Sequence, residues 1–144
     1  MNDSVADIVR QRITDVGLGE ESSGDWEVFV SNIPDQPDRA ICVYDTLGRF
    51  DGRIMRTGEK IEHPGIMVLV RGSIYPETYD RAKAIALALD QTAPFTTVEL
   101  SSSDVYLIQN ISRTGALHPL GFMEDDRRRY HFSINAVLTY RKES

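Results

Sequence analysis

Few residues of this chain have the type and spacing that chemistry needs. Gly52 to Lys60, GRIMRTGEK, has the outline of a phosphate-binding loop. In such a loop a lysine and a metal-binding hydroxyl follow one another at the start of a helix. Here Glu59 separates Gly58 from Lys60, and no Ser or Thr follows the lysine, so the chemistry is missing. Gly17-Leu18-Gly19 follows a helical pattern rather than a strand, which makes it a helix end and not a dinucleotide turn. His63, His118 and His131 are far apart in sequence, and no pair has the spacing of a metal or nucleophile site. His63 and His118 each precede a proline and so belong to extended loop backbone. His131 falls on the polar face of a strand, where solvent or a neighbouring subunit is its expected surrounding. Cys42 lies in a strand with no cation nearby, the setting of a buried, inert thiol.

The strongest charge feature is Glu124-Asp125-Asp126 followed by Arg127-Arg128-Arg129. An acidic triplet can hold a metal and a basic one can grip phosphate, but each is neutralised by the other. A solvated hairpin tip is the plain reading, and an ion-pair site for a partner or another subunit is the functional one. These residues point to no catalytic group, no cofactor and no bound metal.

The elements that must position these residues follow from periodicity. Val5, Ile8, Val9, Ile13 and Val16 recur at helical spacing over 3–16, with Asp3 or Ser4 to cap the start and Gly17 or Gly19 to end it. Trp26, Val28 and Val30 alternate with Glu27, Phe29 and Ser31 as a strand does. Pro34-Asp35-Gln36-Pro37-Asp38 is a turn, and Ala40 to Tyr44 is a second strand, expected to form a hairpin with the first. From Thr46 to Pro64 the periodicity is lost. This stretch holds four cations and the apolar residues Leu47, Phe50, Ile54, Met55 and Ile61, too many for a solvated linker. A long loop, or an arm or short hairpin that packs on something else, is expected there.

Ile66 to Val70 is apolar at every position, as in a central strand covered on both faces. Pro76 opens a second helix, in which Tyr79, Ala82, Lys83, Ala86 and Leu89 follow helical spacing, Ala84, Ile85, Leu87 and Ala88 widen the apolar face, and Pro94 bounds it. Strands are expected over 95–100 and 105–111. After a loop over 112–128, a last strand over 129–141 places Tyr130, Phe132, Ile134, Ala136, Leu138 and Tyr140 on one face. The expected fold is α+β, two helices packed on a mainly antiparallel sheet in the order α-β-β-(arm)-β-α-β-β-β, as one domain over 1–144 with the arm at about 46–64.

Composition agrees. The chain has 144 residues, with 41% hydrophobic and 26% charged. That is enough to bury a core without staples. Its net charge of −6 disfavours general nucleic-acid binding, since affinity for phosphate rests on Lys and Arg. No apolar run reaches the length of a membrane span. The single cysteine fits a reducing compartment. Charge is uneven. Residues 1–45 hold three Arg and ten Asp or Glu, a net −7, while 46–144 are close to neutral at +1. The cations of the arm therefore have acidic candidates to meet, among them Asp7, Glu20, Glu21 and Asp25. Arg49, Phe50, Arg53, Ile54, Met55, Arg56 and Lys60 on the arm are candidate interface residues. So are Leu117, His118, Phe122, Asp125 and Asp126, in a loop more apolar than a free loop should be.

The C-terminal eighty residues resemble the tail terminator proteins of long-tailed bacteriophages, which also carry the labels tail completion or minor capsid protein. The resemblance runs through Gly65-Ile66-Met67-Val68-Leu69-Val70-Arg71, the tyrosine- and alanine-rich helix from Tyr75 to Asp90, and Val105-Tyr106-Leu107-Ile108. It continues in Pro119-Leu120-Gly121 and Arg129-Tyr130-His131-Phe132-Ser133-Ile134-Asn135, and the order of elements is similar over nearly the whole chain. It implies a structural protein without enzymatic activity or cofactor. Such a protein forms a homo-hexameric ring on the last ring of the tail tube and ends tail polymerisation. It also offers the docking surface for the head–tail connector or stopper protein. It would be a part of the virion, at the head-proximal end of the tail, assembled in the host bacterial cytoplasm, with no membrane and no direct nucleic-acid recognition. Two alternatives remain open at this level. One is another neck component, such as a head-closure or connector adaptor. The other is a small bacterial enzyme or ligand-binding domain, which a pocket lined by His118, Asp125 and Arg129 would favour.

Overall fold

In the computed structural model, the described residues are 4–19, 26–34, 38–53, 60–92, 96–100, 103–115, 118–123 and 129–142. Nine elements follow one another: α1 (Val5–Asp15), β1 (Glu27–Val30), β2 (Ala40–Arg53), β3 (Lys60–Gly72), α2 (Tyr75–Asp90), β4 (Thr96–Glu99), β5 (Val105–Arg113), β6 (His118–Met123) and β7 (Arg129–Lys142). The fold is α+β, with both helices on a mostly antiparallel sheet.

The sheet runs β1-β2-β3-β7-β5-β4, and β6 also pairs with β7. β7 is its hub. On one side Tyr130 to Val137 pair with β3. On the other, β5 pairs with Ala136 to Lys142 and β6 with Arg129 to Ser133. β5 and β6 thus lie end to end along one flank of β7. The sheet's inner face follows the alternation expected of β7. Phe132, Ile134, Ala136 and Leu138 are buried, beside Ile66, Val68 and Val70 of β3 and Ile41 and Val43 of β2. Leu69, on the opposite face of β3, is also buried, as a strand covered on two sides requires.

α1 starts at Ser4, whose hydroxyl accepts from the Asp7 amide while the Asp7 carboxylate accepts from the Ser4 amide, a reciprocal cap. Asp45 accepts from the Ala6 amide at 3.0 Å, so β2 satisfies another open donor of the helix. The helix ends at Val16, and Gly17 takes φ +80°, which only glycine adopts freely. α1 buries Val5, Ile8, Val9 and Ile13 and contacts β1 and β2, as well as β4 at the far edge of the sheet, so the sheet curves around it. α2 begins with Pro76 in its first turn and packs on β7, β3 and β5. Gly72 allows this close approach, since a Cβ there would collide with the side chain of Thr78. Arg81 ties the helices together, with its guanidinium 4.9 Å from the Trp26 ring centroid and a hydrogen bond to the Leu18 carbonyl at 3.0 Å.

Three expectations need correction. First, β1 and β2 pair in parallel, not as a hairpin. The connection after Ser31 does not reverse the chain beside β1. Its described ends, Pro34 and Asp38, lie at the sheet face opposite the helices, where Arg71 donates to their carbonyls at 2.7 Å and 3.3 Å. Second, 118–123 form a strand within the expected loop. Pro119 and Gly121 broke its pattern, and a register shift falls between them. Third, the buried stripe of α2 is Thr78, Ala82, Ile85, Ala86 and Leu89, and Tyr79 is 37% exposed. Where the sequence offers a long loop, an arm or a short hairpin, the stretch from Thr46 is strand up to Arg53, paired with a strand that begins at Lys60. Two register shifts, between Thr46 and Arg49 and between Phe50 and Arg53, each add one residue to β2. A shift of that kind interrupts the alternation of a strand, which is why none shows in the sequence.

Candidate functional site

The sequence-derived site residues fall at opposite ends of the sheet. β3 pairs with β7 only from Gly65 to Gly72. Residues 60–64 of β3 therefore have β2 as their only described neighbour, and together with 46–53 they make a two-stranded ribbon. The ribbon continues β3 beyond Gly65 by five residues, about 17 Å at the usual rise. Its register sets Arg49 opposite His63, Phe50 opposite Glu62 and Arg53 opposite Lys60. Ile54, Met55 and Arg56 belong to its connection and lie outside the described residues. At the other end of the sheet His118 stands opposite Ser133, and Phe122 opposite Tyr130, in the β6–β7 pair. Leu117, Asp125 and Asp126 lie outside the described residues. The two groups of candidates are separated by the shared length of β3 and β7, and the fold does not bring them together.

The ribbon has two physical peculiarities. A two-stranded ribbon in water is marginally stable by itself, because it has no third strand and no covered face. In addition, two cationic residue types, Arg53 and Lys60, occupy facing positions of its register. Both features suit an element that is completed by a partner.

The sheet face opposite the helices is the most polar buried region. Arg71, Arg129 and Ser133 are buried there, and half-buried His131 stands opposite Arg71. Solvent is thus not the main surrounding of His131. The Arg129 guanidinium lies 3.8 Å from an Asp38 carboxylate oxygen, so Asp38 meets a second arginine beside the crossover. Cys42 is buried on the same face. Burial raises its thiol above the ordinary 9.0, against the opposing effects of its hydrogen bonds and of Arg71. Tyr44, hydrogen-bonded to Cys42, is pushed up to about 12, first by burial and then by that hydrogen bond. Both stay protonated at neutral pH, so neither is a nucleophile. The cluster holds the crossover connection in place and has no reactive group.

Asp7, one of the acidic candidates for the arm, is engaged in the α1 cap, while Glu20, Glu21 and Asp25 lie outside the described residues. Among the described residues, no three of His, Cys, Asp and Glu stand together as a metal site would need. No described helix is long and apolar enough to cross a membrane.

Sequence reasoning missed one surface. Ile74, Tyr75, Tyr79 and Leu87, along α2, are 49%, 49%, 37% and 46% exposed. Tyr75 stacks on Tyr79 at 6.3 Å and meets Tyr130 edge-on at 5.3 Å, while Tyr79 meets Phe132 at 5.8 Å. The signal was present in the i, i+4 spacing of the two tyrosines, but in sequence that spacing reads equally well as core.

A family model described as bacteriophage tail terminator protein matches residues 12–142, from within α1 to the end of β7. No curated protein matches the chain.

Proposed function

Since this chain belongs to the bacteriophage tail terminator family, a family of structural tail proteins and not of enzymes, we propose that it closes the head-proximal end of the phage tail tube. Copies of the chain form a ring, six in number, on the last ring of tube subunits. The ring stops polymerisation and presents the surface to which the head connector or stopper binds. A ring of identical subunits needs two different surfaces on each copy, one to reach and one to receive. The observation that carries the reading is the ribbon, a projecting, marginal element with like charges opposed in its register. Arg49, Phe50, Arg53, Ile54, Met55, Arg56 and Lys60 make the reaching surface. The β6–β7 hairpin, with Leu117, His118, Phe122, Asp125 and Asp126, lies at the opposite end and faces the tube or the connector. Assembly takes place in the host cytoplasm, where a reduced Cys42 suits the fold. The family match favours a terminator over a head-closure adaptor.

Size-exclusion chromatography with light scattering tests the reading, on the intact protein with and without purified tail tubes. A hexamer, free or on tube ends, is expected. Deleting residues 50–56 should leave a folded monomer that no longer assembles. An intact chain that stays monomeric and ignores tube ends overturns the proposal.

A further inference from the structure

The proposed ring needs a surface that receives the ribbon, and one exposed surface has complementary chemistry. Among the described residues, the large apolar side chains at the surface are Val16 and four others, Ile74, Tyr75, Tyr79 and Leu87, all on or next to α2. Tyr75 and Tyr79 are held by each other and by Tyr130 and Phe132 beneath, so they are already ordered and lose little entropy on binding. Next to them on the helix is the exposed carboxylate of Asp80, which makes no ion pair with a described residue, whereas nearby Glu77 is paired with Arg39. Asp80 also borders a groove between α2 and Leu18. Tyrosines beside a carboxylate that makes no ion pair with a described residue suit an arginine-bearing strand, through cation–π contact and an ion pair.

The topology decides whose strand that is. The ribbon continues β3 beyond Gly65, while the first turn of α2, with Tyr75 and Tyr79, follows Gly72 at the other end of the same strand. A chain's ribbon points away from its own tyrosines and toward those of a copy placed head to tail. We infer that Ile74, Tyr75, Tyr79 and Asp80 receive the Arg49–Arg53 and Lys60 end of the ribbon from a second copy of this chain. The contact is heterologous, so it propagates and closes into a ring when the rotation allows. It sets the Asp80 carboxylate against the cationic Arg53–Lys60 end of the ribbon and offsets part of the charge there. This inference rests on the proposed ring and names its receiving surface.

A charge exchange tests it, read by light scattering at low salt under the conditions in which the wild type assembles. Asp80→Arg should weaken association about tenfold or more, and Asp80→Asn should weaken it less, both with an unchanged melting temperature, since the side chain is exposed. Arg53→Asp with Lys60→Asp should weaken it comparably. The triple variant, with all three exchanges in one chain, should recover to within about threefold of wild type, because every interface then carries the reversed pair. Assembly of Asp80→Arg at the wild-type level, or a triple variant no better than its parents, overturns the inference and leaves the ring standing. A wild type that assembles neither alone nor on tubes overturns the ring and this contact with it.

Discussion

β2 and β3 run together for most of their length, yet their two halves follow different rules. From Ala40 to Thr46 and Gly65 to Arg71 the register is unbroken, α1 contacts both strands, and Ala40 to Val43 are buried on both faces of the sheet. From Arg49 to Arg53 and Lys60 to His63 the same pair carries bulges, and its register opposes Arg53 to Lys60. In the inner half, burial enforces register, because a slip of one residue would turn Ile41 and Val43 outward. In the outer half no third described strand pairs with the ribbon, and under the proposed function its residues serve a partner instead.

The sharpest test of that contrast is a pair of matched truncations. Phe132→Ala removes a ring that is 2% exposed and packed under Tyr75 and Tyr79, and should cost about 3–5 kcal/mol in urea unfolding. Phe50→Ala should change monomer stability by less than about 0.5 kcal/mol while lowering the assembled fraction. A large loss of monomer stability from Phe50→Ala would erase the distinction between the halves.

A smaller effect is expected at the inner half's far face. Arg71→Met keeps much of the packed stem but removes the donors to the carbonyls of Pro34 and Asp38. It should cost about 1–3 kcal/mol and speed proteolysis within 31–39, with the ribbon's behaviour in assembly unchanged. Equal cleavage rates in variant and wild type would show that the crossover does not depend on Arg71.

The mildest test uses pH. Cys42 and Tyr44 hold their protons more tightly in the folded chain than in the unfolded one. Above the ordinary values of 9.0 and 10.0 the unfolded chain releases protons that the folded chain keeps. Their contribution to stability is therefore full below about pH 9 and falls as pH rises toward about 12. Tyr44→Phe should flatten this alkaline fall, as measured by urea midpoints across that range. An unaltered pH profile would remove Tyr44 as its source.

Much of this architecture was legible in the sequence, for stated reasons. The helical spacing of Val5 to Ile13, the apolar run at 66–70 and the alternation of 130–140 each encode burial, and burial repeats with the geometry of its element. The residues that departed from expectation carry signals of another kind. Pro119 and Gly121 hid a strand whose backbone finds its partner across a hairpin. The bulged ribbon hid its alternation. The parallel pairing of β1 depends on a connection fastened by Arg71, a residue 41 positions downstream of Val30. The candidate site was half legible. The cations and Phe50 of the arm stood out by composition, but the surface formed by Tyr75, Tyr79 and Asp80 did not.

By itself, then, the sequence determined most of the element types, the faces that α1 and the last strand bury, the absence of any spacing suited to a reactive site, and the resemblance to tail terminators. These are properties of local period and residue chemistry. Tertiary structure alone decided that the arm is a ribbon with its cations opposed, that the crossover's described ends lie at the sheet's polar face, and that two tyrosines of α2 stand exposed at the end away from the ribbon. Each of these depends on which residues become neighbours across the sheet, and periodicity along the chain carries no record of that.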